Sequence, residues 1–191
     1  KKSNGSFERN DGVSITGDYL TVGANIPTAT VSAGGVGLSL TGIDLGMLLV
    51  SYDGGTPGTL PADTADDTSY TVIKAKVGGA SIFGIDGLTL TVSDFYLEIN
   101  QAKDVTTGAA FGSVLDFNAG GSNAGSTFAV STGPSSPAVT LDMDGDDGNL
   151  LQAAGDLELD VFGFVTLDGS FAFKKSNGSF ERNDGVSITG D

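Results

Sequence analysis

The side chains with the most capacity for chemistry lie in one acidic run, Asp142-Met-Asp-Gly-Asp-Asp-Gly-Asn149. Asp142, Asp144 and Asp146 alternate along the chain and Asp147 adds a fourth carboxylate, so a loop here can aim several oxygens at one point. A hard cation such as calcium takes about six to eight oxygen ligands. Four carboxylates crowded without a cation repel one another. Asp142, Asp144, Asp146 and Asp147 are therefore the candidate metal ligands, with Ca2+ as the cofactor they imply. The first three carry the one-three-five spacing of an EF-hand-like loop, but Gly148 falls one place late and no Glu closes the loop. The alternative is a charged hairpin tip between arms at 139–141 and 149–151.

Other chemistries are closed off by composition. The chain has no Cys and no His, which removes disulfides, thiolate zinc sites, imidazole ligands and the Ser-His-Asp arrangement. Asp94, Glu98, Glu158 and Asp160 fall on or near strand-like segments, but their spacing offers no acid/base pair of the glycosidase kind. The reading is that this chain is not an enzyme. Lys74 and Lys76 share a strand face with Tyr70 and Val72 and read as a solvated face. A net charge of −15 argues against nucleic acid as a partner. No apolar run approaches the length of a membrane span, and no membrane insertion is expected. Gly34-Gly-Val-Gly-Leu-Ser-Leu40 is similar to the nonapeptide of calcium-binding β-rolls but has Ser39 where an Asp is needed, so it reads as a turn and strand start.

The elements that must position these residues are organised by a repeat. KKSNGSFERNDGVSITGD at 1–18 recurs unchanged at 174–191, an offset of 173 residues. Residues 1–173 thus form one full tandem repeat, and 174–191 form the start of the next copy. Near identity between copies implies a unit asked mainly to fold, extend and contact its neighbours. Asn177-Gly178, like Asn4-Gly5, is a strong signal for a type I′ hairpin. The expectation is a hairpin across the repeat seam whose second arm the overlap supplies. The natural boundary between copies then falls elsewhere, in the Gly-rich 105–138 stretch or the acidic 53–69 loop.

Within the period, apolar and polar residues alternate at 38–40, 43–45, 70–77, 88–92, 95–99, 157–161, 165–167 and 171–173, the signature of half-buried strands. Three segments share a form: LSLTGIDL (38–45), LTVSDFYL (90–97) and VTLDGSFAF (165–173). They suggest three degenerate sub-repeats. In the first two the apolar phase slips by one residue at the Gly or Asp step, which predicts a β-bulge or corner that passes Leu and Phe to opposite faces. Thirty Gly, abundant Thr and Val and little helical periodicity complete an all-β reading. The expected fold is an elongated unit of long, bent antiparallel strands, β-solenoid-like or a β-sandwich. The 105–138 stretch keeps Phe111, Leu115, Phe117 and Phe128 and is expected to hold one or two strands.

Acidic, Cys-free, Gly/Asp/Thr-rich, all-β and repeated with near identity, the chain resembles the giant tandem-repeat bacterial surface exoproteins of the adhesin class (RTX- or Lap-type extender repeats). The resemblance rests on composition and periodicity over the whole chain. It implies an extracellular or bacterial cell-surface location and a spacing role, often rigidified by calcium. Partners would be neighbouring copies of the same repeat and an extracellular surface or glycan. The alternative function is a repeated carbohydrate- or surface-binding module acting by avidity.

Overall fold

A computed structural model describes residues 2–54, 67–118, 125–183 and 186–190. Most of the 53–69 loop lies outside the described residues. The elements in chain order are β1 (Ser3–Glu8), β2 (Ser14–Ala33), β3 (Val36–Tyr52), β4 (Thr68–Phe83), β5 (Leu88–Asp104), β6 (Phe128–Val130), β7 (Val139–Leu141), a 3-10 turn (Gly145–Asp147), β8 (Leu150–Val161), β9 (Val165–Lys175), β10 (Gly178–Glu181) and β11 (Ser187–Gly190). Seven of them form one open sheet in the order β1-β2-β3-β4-β5-β8-β9, every neighbour antiparallel. The all-β class and the long antiparallel strands are as the alternation predicts. Their arrangement is a single meandering sheet with a small cover, so the architecture is neither of the two forms considered.

Turn chemistry explains the meander. Gly34 and Gly35 both have positive φ (61° and 87°) and join β2 to β3, as a two-residue primed turn requires. Phe162 and Gly163, at φ 52° and 69°, turn β8 into β9, and the Asp160 carboxylate accepts the Gly163 N–H at 2.8 Å. At the other end Gly12 (φ 77°) closes the β1–β2 hairpin.

The Asn-Gly expectation is overturned. Asn4 and Gly5 lie inside β1, opposite Asp18 and Gly17, and β9 pairs with β8, not with β10. No hairpin crosses the seam at Asn177-Gly178. The physical reason is tertiary: a side chain at Gly5 would sit 2.9 Å from the Tyr19 ring, so this glycine makes room for an aromatic ring instead of supplying a turn. The hairpin of the overlap is β10–β11, and it repeats the β1–β2 register pair for pair, from Gly178 opposite Gly190 to Glu181 opposite Ser187.

The ladder creases along one line. Pairing skips Pro27, Gly42, Gly78 and Asp94 in four successive strands. Gly42 and Asp94 have positive φ (60° and 47°), and the β5–β8 register shifts between Ser93 and Tyr96. The phase slip read from sequence is this bulge, but its effect is opposite to the one expected. On β8 the apolar residues alternate without a break through Leu151, Ala153, Leu157 and Leu159. Leu97 and Ile99 on one side of the bulge, and Leu90 and Val92 on the other, all pair with them. The bulge therefore keeps both apolar sets on one face of the sheet.

That apolar face is open: Val22, Val165 and Phe173 are 43%, 54% and 54% exposed. The opposite face is covered over the half nearest the long connections. There Phe7, Ile15, Leu48, Val50, Tyr70, Val72 and Leu150 pack under Val114, Leu115, Phe117, Val130, Leu141 and Met143 from the 105–149 connection. Each fully buried Leu or Val contributes about 1.5–3 kcal/mol. The expected strand content of 105–138 is β6, which pairs with β7 over β2, β3 and β4. Gly23 and Gly46, paired with each other, let this hairpin approach the backbone: a methyl at Gly46 would lie 2.7 Å from Val139.

Candidate functional site

The acidic run begins where β7 leaves the cover and ends where β8 enters the sheet. It is not a hairpin tip, because β7 pairs with β6 and the 150–152 segment pairs with β5. Buried polar groups stitch it down. The Asp116 carboxylate, 3% exposed, accepts the N–H groups of Gly145 at 3.1 Å and Asn118 at 2.9 Å. Asn10 donates to the Gly145 carbonyl at 2.9 Å. Asn149 accepts from Ala102 N–H at 2.9 Å and donates to the Phe111 carbonyl at 2.8 Å.

Within this frame the four carboxylates face different partners. Asp142 meets the Lys74 ammonium at 2.5 Å, and Lys74 also holds Glu98 at 3.2 Å. Glu98 in turn accepts from Gln152. Asp147 pairs with Lys174 at 2.6 Å. Asp144 caps the 3-10 turn by accepting the Asp146 N–H at 2.9 Å and takes a 2.7 Å bond from Asn118. Asp146 is exposed. Among the described residues no group of three or more Asp, Glu, His or Cys side chains stands where it could hold one metal ion. Lys74 is thus not on a solvated face: it lies on the covered side between β4 and the acidic loop. Burial pulls its ammonium down, but the hydrogen bonds and charges of Asp142 and Glu98 outweigh that and hold it above its ordinary value.

The other acids are dispersed. Asp94 sits at the bulge with Lys76 at 3.6 Å, Asp160 caps the 162–164 turn, and Glu158 is exposed on β8. At the β1–β2 turn, burial would raise the Asp11 carboxyl, but hydrogen bonds from Arg9, Ser113 and the Val13 N–H hold it below the usual value. A cleft of about 280 Å3 beside β1 is lined by Glu8, Asp116, Phe117 and Phe128. No family model, curated protein or solved structure matches this chain. The site is therefore read from its own geometry. Sequence reasoning found the carboxylates but not Lys74, Lys174, Asp116, Asn10 or Asn118, which come from distant positions; no local pattern marks them.

Proposed function

We propose that this chain is a structural extender: one period of a tandem array, secreted or displayed on a bacterial cell surface as part of an adhesin-class protein. The observation that carries the reading is the eighteen-residue identity between 1–18 and 174–191, together with the same pairing register in β1–β2 and β10–β11. A duplicated sequence that re-forms the same hairpin is what a unit built to be followed by itself requires. Net charge of −15 suits the role, since self-repulsion between copies opposes collapse and aggregation. The test is X-ray scattering on tandems of one, two and four copies. A rigid extender adds a constant increment to the maximum dimension with each copy; copies that tumble independently sink the reading.

Calcium enters this reading at Asp144 and Asp146, the two carboxylates of the run that pair with no lysine among the described residues. Repeated binding to a carbohydrate or other surface is the second reading. Its support is Phe162 and Phe164, which stand 59% and 90% exposed at the β8–β9 turn, a repeated aromatic tip if copies are strung together. Loss of surface or glycan binding in Phe164→Ala, with the array's dimensions unchanged, would favour it over a pure spacer.

A further inference from the structure

We infer that consecutive copies are joined edge to edge into one continuous sheet, with β9 of each copy paired to residues 20–31 of the next. The inference rests on the extender reading and names the surface by which its units meet. The two sheet edges supply the parts. β1 covers β2 only as far as Tyr19, so among the described residues 20–33 have a strand on one side only, β3. β9 likewise has a strand on one side only, β8. The repeat fixes how they meet. Lys174 and Lys175, which end β9, are also the first two residues of the duplicated segment. β9 therefore runs into the next copy's β1, with Ser176 in the place of Ser3.

Carrying the β1–β2 register past its last pair, Ser3 opposite Tyr19, sets Lys175 opposite the next copy's Leu20 and Gly169 opposite its Ile26. Phe173 falls opposite Val22 and Phe171 opposite Ala24; past a one-residue bulge at Pro27, like that between β5 and β8, Leu167 falls opposite Ala29 and Val165 opposite Val31. The apolar members lie on the open apolar face of both edges, so the seam continues that face. The crease meets the seam as a bulge, because the next copy's Pro27, which has no N–H to offer, falls at the Asp168-Gly169 step of β9.

Closure of β9 onto its own β2 would use the same pairs, but the stagger is wrong. A row that begins at Val22 runs through Met47, Ile73, Ile99, Leu151 and Lys175 and would return on Leu20. Two residues of offset over the width of one copy's strands is a tilt of roughly 13° at normal strand spacings, against about 35–45° in closed barrels. The edges suit another copy better than each other.

The test is a two-copy tandem carrying Phe173→Cys in the first copy and Val22→Cys in the second. The chain has no cysteine of its own, so one disulfide alone can form. Alternation from the Arg9–Val13 hydrogen bond puts this pair at a non-hydrogen-bonded site, where Cα atoms lie about 4.5 Å apart, within disulfide reach. Rapid crosslinking within the tandem is expected, with little for Ala172→Cys and Val22→Cys, whose side chains leave opposite faces. Without substitution, hydrogen exchange at Thr21, Gly23 and Asn25 of the second copy should slow on the order of 100-fold relative to a single copy. Equal crosslinking of both cysteine pairs, or unchanged exchange at those amides, overturns the seam. A tandem that scatters as a rigid rod without the crosslink overturns the seam and leaves the extender. One that crosslinks but does not lengthen with copy number supports the seam and overturns the extender.

Discussion

Replacing Gly23 with alanine adds one methyl group under the cover, where β2 passes beneath the β6–β7 hairpin. The new Cβ would lie 2.8 Å from the Ser131 carbonyl carbon and 3.1 Å from a Val130 methyl, and it would press directly on the Ser131 oxygen. Backbone is the obstacle, so no rotamer relieves it, and the hairpin must lift. Overpacking of this kind costs about 1–3 kcal/mol. Against it stands a gain of about 0.4–1 kcal/mol from stiffening the unfolded chain. The net expectation is a loss of roughly 0.5–2 kcal/mol, which at an m-value near 2 kcal/mol/M lowers the urea midpoint by about 0.25–1 M. Gly169→Ala is the control, since its methyl meets nothing within 4 Å and only the stiffening gain applies. Equilibrium urea unfolding followed by circular dichroism and tyrosine fluorescence reads both variants. If Gly23→Ala were as stable as Gly169→Ala, the cover would not rest on β2 at this point, and the argument that Gly23 and Gly46 admit it would be wrong.

Along the crease, Gly42→Ala should destabilise by about 1–2 kcal/mol because Gly42 is left-handed at φ 60°. Asp94→Gly should be neutral or stabilising, since φ 47° strains a residue with a Cβ, and thermal melts of the two variants should move in opposite directions. Lys74 is held above its ordinary value of 10.5. Its ion pairs therefore stabilise fully below that pH and fade as pH rises through the higher folded value. The gap in Tm between wild type and Lys74→Met, worth under about 1 kcal/mol for a partly exposed cluster, should stay constant from neutral pH upward and close in alkali; a gap that persists there would mean packing, not charge. For calcium, a cation at about a hundred times its Kd adds roughly 2.7 kcal/mol. Chelator should then lower the Tm of wild type but not of an Asp144→Asn/Asp146→Asn double variant, and a wild-type melt indifferent to chelator would leave Lys74 and Lys174 as the loop's counterions among the described residues.

Strands β3, β4, β5, β8 and β9 were legible because their apolar residues alternate strongly. Their meander was hidden, since period-two patterning fixes which way side chains point but not which strand lies alongside. The longest strand, β2, escaped because Pro27 breaks it and Thr, Gly, Ala and Asn dilute its alternation. The crease was visible at Gly42 and Asp94 as a phase slip, but its direction was not. Whether a bulge sends apolar residues to two faces or returns them to one is decided by the neighbouring strand, here β8. Asn4-Gly5 misled for a related reason: a strong local turn preference yielded to the Tyr19 ring packed over it. At the acidic loop the carboxylates were plain in sequence and their partners were not, because Lys74 and Asp116 reach it only after the sheet and its cover have formed.

Three tight connections, at 34–35, 84–87 and 162–164, join β2 to β3, β4 to β5 and β8 to β9 at one end of the sheet, whereas β1 turns into β2, β3 leads off toward β4 and β5 leads off toward β8 at the other. One period contributes six long strands, β2, β3, β4, β5, β8 and β9. That number is even, so a chain joined as inferred above enters each new copy pointing the same way. The resulting ribbon would have two unlike borders: a trim hem of turns, and a fringe carrying the cover and acidic loop at intervals of about 29 Å, six strand spacings. Insertions in the long connections would change the fringe copy by copy without touching the seam. Such a filament could diversify what it shows along one side while the other stays uniform.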